Sequence, residues 1–140
     1  MADSSAGEKI ITALFTRMAA FTGVASTRIA WPGVDFTPPA SGTWVEVKHF
    51  PSEPDNPWLG NDEPVDFTGY MQVTACGKKG QGIMPVKRVA DDVVGHFPKG
   101  TKMTSNGVLV KIERQPGALS VIEDNGQIRI PVPVRYRAIA

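Results

Sequence analysis

The stretch IRIPVPVRYRAI near the C-terminal end restricts the fold more than any other part of the chain. Ile128, Ile130, Val132, Val134 and Tyr136 occupy alternate positions, and Arg129, Arg135 and Arg137 fall on the positions between. An extended backbone therefore places the apolar side chains on one face and the arginines on the other, the pattern of a strand buried on one side. Pro131 and Pro133 lie two apart, so both missing N–H donors point to the same edge. Proline is seldom found inside a sheet. The pattern predicts a last strand over Gln127 to Ile139 with one edge left unpaired within the subunit.

The remaining elements follow from periodicity and turn chemistry. Ser5 and Glu8 have capping-box spacing, and Ile10, Ile11, Leu14, Phe15, Met18 and Phe21 recur at three- and four-residue steps, predicting a helix from about Ser5 to Phe21. Thr27 to Trp31 reads as a short extended piece. Trp44 to Phe50 and Phe67 to Cys76 are β-rich, with Val45 and Val47 on one face of the first, and Met71, Val73 and Ala75 on one face of the second. Between them, Pro51 to Asp66 carries four prolines and no periodicity, which predicts a long projecting loop. A second helix is expected from about Met84 to Phe97, with Pro85 in its first turn. Asn106-Gly107 and Asn125-Gly126 are hairpin signals. The sum is an α+β fold: a mostly antiparallel sheet of four to six strands with two main helices packed on it.

A length of 140 residues predicts a single domain over 1–140 with one core. The formal charge of +1 gives no global drive toward nucleic acid or membranes. Cys76 is the only cysteine, and the opening MADSSAGEK has neither a basic nor an apolar leader region, so a reducing cytoplasm is the expected site of synthesis. No apolar run approaches the ~18 residues of a membrane span.

Catalytic signals are missing. His49, Cys76 and His96 stand alone, without the paired spacing of zinc ligands, and no serine or cysteine sits in a nucleophile-elbow context. No metal or cofactor is expected. The turn GKKGQG at 77–82 superficially resembles a phosphate loop but lacks the Lys-Ser/Thr ending of a Walker motif. Glu53, Asp55, Asp62, Glu63 and Asp66 form an acidic cluster in a stretch, Lys48 to Lys78, whose interior contains no Lys or Arg. In a proline-rich loop these carboxylates suit solvent or a basic partner better than acid–base work. His96, in the last turn of the second helix, reads equally as a favourable partner of that helix's dipole and as a functional group.

The order of features resembles that of the tail terminator (tail completion) proteins of tailed bacteriophages and related phage domains. The resemblance rests on the first helix, on Ala30 to Pro39 (AWPGVDFTPP), Trp44 to Val47, Asn56 to Gly60 (NPWLG) and Gly69 to Val73. It continues through the Gly-rich turn, Phe97 to Thr101 (FPKGT) and Arg129 to Val134. It implies a structural virion protein, not an enzyme, assembled in the host cytoplasm. Such a protein forms a ring, hexameric as a rule, that caps the tail tube, halts its growth and receives head-completion or connector proteins, while genomic DNA passes through unbound.

On that reading Glu53, Asp55, Trp58, Leu59, Asp62, Glu63 and Asp66 are the candidate subunit or tube interface, with Trp58 and Leu59 as apolar anchor. Lys78, Lys79, Arg129, Arg135 and Arg137 form a candidate basic contact surface. Other neck or tail stations share the architecture. The competing class is a nucleic-acid or small-molecule binding module built on Lys78, Lys79, Lys87 and Arg88. The arm from Trp31 to Pro39 is expected to be an extended scaffold, pinned by Trp31 and Phe36 and stiffened by Pro32, Pro38 and Pro39.

Overall fold

A computed structural model describes residues 5–52 and 65–139. The first helix, α1 (Ala6–Ala19), buries Ile10, Ala13, Leu14 and Met18, the stripe that the three- and four-residue spacing predicts. Lys9 donates to the Ser5 carbonyl at the helix start, while the Ser5 side chain makes no capping bond. The chain then passes through β1 (Ile29–Ala30) and the proline arm to β2 (Thr43–Pro51) and β3 (Asp66–Lys78). After α2 (Met84–His96) come β4 (Lys102–Ser105), β5 (Val108–Ile112), β6 (Ile122–Asp124) and β7 (Gln127–Ile139).

The strands form one curled sheet in the order β1-β2-β3-β7-β5-β4, with β6 also on β7. Among the described residues only β1 and β2 run parallel. The α+β class expected from sequence is what forms; two of the seven strands are only two and three residues long. Both Asn-Gly hairpins are present, with φ values of 47° and 86° at Asn106-Gly107, and 48° and 73° at Asn125-Gly126. Positive φ at both central residues matches the right-handed twist of the flanking strands. Of the projecting loop predicted over Pro51 to Asp66, Pro51 ends β2 and Asp66 begins β3, and residues 53–64 lie outside the described residues.

The expected free edge on β7 takes another form. This strand lies inside the sheet, paired with β3 over its whole length and with β5 and β6 at opposite ends of its other side. Between those ends the chain contributes two hydrogen bonds, Glu113 N to Arg135 O at 3.1 Å and Leu119 N to Pro131 O at 2.9 Å. The Pro131 carbonyl points into this gap, so its ring nitrogen does too, and Pro133 repeats the orientation two residues on. The missing donors fall where the ladder is interrupted, which lets prolines occupy an interior strand.

The core lies on one face of the sheet, called here the inner face. Val45 and Val47, Met71, Val73 and Ala75, and the even-numbered residues Ile128 to Ala138 pack there against α1 and α2. A reciprocal contact locks the helix ends together. Arg17 donates from Nε and Nη2 to the His96 carbonyl at 2.9 and 2.7 Å, and His96 Nε2 bonds the Arg17 carbonyl at 2.6 Å. His96 thus serves the terminus of the other helix, because α1 ends against it.

Gly69 sits where three strands crowd. An added Cβ would meet the Phe50 carbonyl oxygen at 2.7 Å, the Tyr136 hydroxyl at 2.8 Å and the Pro51 Cα at 2.9 Å. Two of these are backbone atoms, which cannot swing aside. Removing backbone freedom from the unfolded chain returns only ~0.4–1 kcal/mol, against ~1–3 kcal/mol for overpacking. Gly69→Ala should therefore lower the unfolding free energy by about 1–2 kcal/mol in urea titration.

Candidate functional site

The opposite, outer face of the sheet carries most of the polar side chains that sequence singled out. Strand pairing sets them in rows. Trp44, Cys76 and Arg129 form one row, Phe50, Tyr70 and Arg135 another, and Thr68, Arg137 and Lys111 a third. Arg129 and Arg137 lie about 26 Å apart along β7 at ~3.3 Å per residue, so the candidate basic residues divide between the two ends of this face.

At the first end the arm folds over the sheet. Trp44 belongs to the outer face yet is only 1% exposed. Trp31, Val34, Phe36 and Pro38 of the arm share a cleft of about 500 Å³ with Trp44, Glu46 and Arg129. Trp31 also packs on Phe15 of α1 with ring centroids 5.2 Å apart, so the arm clamps the edge of the sheet from both sides. Lys78 Nζ lies 5.9 Å from the Trp44 ring centre. Arg129 pairs with Glu46 and donates to Gln127 Oε1 at 3.1 Å, while Cys76 Sγ lies 3.6 Å from Glu46 Oε2. Burial pushes the Cys76 thiol up to about 12, so it stays protonated and is a poor nucleophile.

The Gly-rich turn is occupied with its own geometry. The Lys79 amide donates to the Gly126 carbonyl at 2.8 Å, and the Gln81 amide to the Lys78 carbonyl at 3.5 Å. The first N–H is spent on the β6–β7 hairpin and the second within the turn, which weakens the phosphate-cradle reading. Lys87 of the competing basic patch pairs with Asp91 at 3.3 Å on the solvent side of α2.

The second end lies beside the chain ends that flank residues 53–64. Of the candidate subunit or tube interface, Glu53, Asp55, Trp58, Leu59, Asp62 and Glu63 lie outside the described residues, and Asp66 is the first residue of β3. Asp66 is buried and accepts two parallel hydrogen bonds from Arg137, both 2.9 Å. One acidic and one basic candidate thus engage each other in a bidentate pair. These bonds, then the carboxylate charge, hold the Arg137 guanidinium above its usual range. Arg135 lies 5.7 Å from the Tyr70 ring centre, and Tyr70 stacks on Phe50 at 5.0 Å.

Under this end, on the inner face, His49 Nε2 meets the Tyr136 hydroxyl at 2.7 Å and the rings stack at 5.6 Å. Burial lowers the His49 pKa and pushes Tyr136 up to about 12, so both are neutral at pH 7 and the hydroxyl donates to the ring. Sequence reasoning missed this pair because the contact depends on the strand register. Among the described residues, no three His, Cys, Asp or Glu side chains converge on a possible metal site.

The His49 shift fixes a pH dependence. In the unfolded chain His49 takes up a proton near 6.5, while the folded site resists it, so the unfolded state binds more protons below that value. Stability should be full above about pH 6.5 and fall as the pH drops toward the lower folded value. A series of thermal melts from pH 7.5 to 5 should show this loss, and His49→Gln should flatten it.

The model of the phage tail terminator protein family matches residues 9–136. No curated protein matches the chain. One solved structure, bearing no functional name, is 22% identical, covers 94% of each chain and superposes with a TM-score of 0.75. A chain from the virion of a native gene transfer agent particle is 14% identical, covers 99% of this chain and 100% of its own, and gives a TM-score of 0.61. At these identities the likeness is one of fold.

Proposed function

The chain belongs to the phage tail terminator protein family and is a tail structural protein, and from that premise we propose that it closes into a ring of six copies capping the finished tail tube. The ring stops addition of tube protein and offers its free side to head-completion or connector proteins, so the station is the neck of the virion. Genomic DNA crosses the hole without specific binding. The observation that carries this reading is the match over residues 9–136, which spans nearly all of α1, all of α2 and nearly the whole sheet. It is supported by chemistry that suits a scaffold: the lone cysteine is held protonated, and Arg129 and Arg137 are tied to carboxylates of their own subunit.

Subunits in a ring meet head to tail, so two different surfaces of each chain have to be complementary. In this reading the segment Glu53 to Asp66 is one of them, with Trp58 and Leu59 as its anchor on a neighbouring subunit or on the tube. Carboxylates not used there face the hole and repel phosphate, which speeds DNA passage. Lys78 and Lys79 at one end of the outer face, and Arg135 at the other, are left for contacts with basic-seeking partners.

The test is the mass of the particle formed alone and with tail-tube protein. A ring on tube ends is expected, and a monomer that also ignores the tube would contradict the reading. Trp58→Ala should remain folded by circular dichroism and lose ring or tube binding by roughly tenfold or more, the effect of removing a hot-spot aromatic. A folded variant with normal rings and normal arrest of tube growth would remove Trp58 from the interface.

A further inference from the structure

Three cations stand directly opposite one another across neighbouring strands of the outer face. Lys102 of β4 pairs in register with Lys111 of β5, and Lys111 pairs with Arg137 of β7. Like charges placed so on adjacent strands repel and cost stability. Asp66 offsets Arg137, but among the described residues no carboxylate lies within ion-pair distance of Lys102 or Lys111. Beside this row is a groove of about 660 Å³ whose lining includes Lys99, Lys111, Arg137 and the apolar Leu109 and Ile139, with Glu113 the one carboxylate among the described lining residues. Leu109 is 43% and Ile139 46% exposed. An apolar floor with a cationic rim fits a segment that carries large apolar side chains between carboxylates.

We infer that this groove receives residues 53–64 of the adjacent copy, EPDNPWLGNDEP, with Trp58 and Leu59 on Leu109 and Ile139 and the flanking carboxylates on Lys99, Lys102 and Lys111. The inference rests on the ring reading and names the surface that the loop engages. Complementarity carries it: the segment has Glu53 and Asp55 before Trp58-Leu59, Asp62 and Glu63 after them, and no Lys or Arg. Loop and groove are different surfaces of opposite charge, as a head-to-tail contact demands. Both also belong to one end of the sheet. The segment leaves after Ser52, whose amide bonds the Thr68 carbonyl at 2.9 Å, and returns just before Asp66, which is held by Arg137 of the groove. Each chain can thus give its loop and receive its neighbour's through the same end.

A charge-exchange experiment separates this contact from its alternatives. One variant reverses the loop (Glu53→Lys, Asp55→Lys, Asp62→Lys, Glu63→Lys), a second reverses the groove (Lys102→Glu, Lys111→Glu), and a third carries both sets. Assembly on tail tubes is measured by sedimentation, with circular dichroism to confirm folding. Each single set should weaken assembly by roughly tenfold or more, an effect that added salt reduces. An equal mixture of the first two should restore it, since in an alternating ring every loop meets a groove of opposite sign. The milder pair Lys102→Gln and Lys111→Gln serves if the reversed groove does not fold, and should weaken assembly in the same direction.

Normal assembly of either reversed chain, or of the glutamine pair, would overturn the inference. So would rescue in the third variant without rescue in the mixture, because that marks a loop lying in its own groove. If the groove variants instead lose salt-sensitive DNA binding and keep assembly, nucleic acid is the occupant and the inference falls. Failure of the wild-type chain to assemble at all would refute the ring reading itself, and this inference with it.

Discussion

The antiparallel ladder between β3 and β7 is the constraint on which the rest of the molecule depends. Both strands have thirteen residues, and they pair without a break from Asp66 with Ile139 to Lys78 with Gln127. Because side chains alternate, this one register decides which residues share each face along the whole length of the sheet. It brings Met71, Val73 and Ala75 beside Val134, Val132 and Ile130 as the bed on which α2 lies. A slip of one residue would turn one strand over and bring Gln72 and Thr74, or Pro131 and Pro133, into that bed.

The same register sorts the polar chemistry. On the inner face the two helices leave little room for charge, and what is polar there is neutral, as in the His49–Tyr136 pair. On the outer face the charged residues are divided between two ends. One end is closed over by the proline arm, with Arg129 neutralised by Glu46 and Trp44 sealed beneath. At the other, among the described residues, the cations Lys102, Lys111 and Arg137 share a row and Asp66 offsets only Arg137. Each end thus holds one internal pair, Arg129 with Glu46 and Arg137 with Asp66, and each keeps cations with no ion-pair partner among the described residues, Lys78 and Lys79 at the first and Lys102 and Lys111 at the second.

Much of this was legible in the sequence because local pattern and long-range packing agree. The alternation of Ile128 to Tyr136, the stripe of Val86, Val89, Ala90 and Val93, and the two Asn-Gly turns each point to the element that forms. What was not legible depends on contacts between distant segments. Trp44 alternates with the core residue Val45, and its near-complete burial on the opposite face, beside the arm, does not follow from that alternation. Asp66 read as the end of an acidic loop, whereas its partner Arg137 becomes visible only once β3 and β7 are in register. The prolines of β7 read as an edge signal, since the sequence cannot tell a free edge from a gap between β6 and β5. The cation row is likewise invisible until Lys102, Lys111 and Arg137 are aligned across three strands.

The function proposed for this fold is to end a growing tube. Its most direct test is electron microscopy of tail-tube protein polymerising with and without the purified chain. With the chain present, tubes should stop lengthening and carry a ring of density at the end that would otherwise grow. Tubes of unchanged length distribution with bare ends would contradict the account.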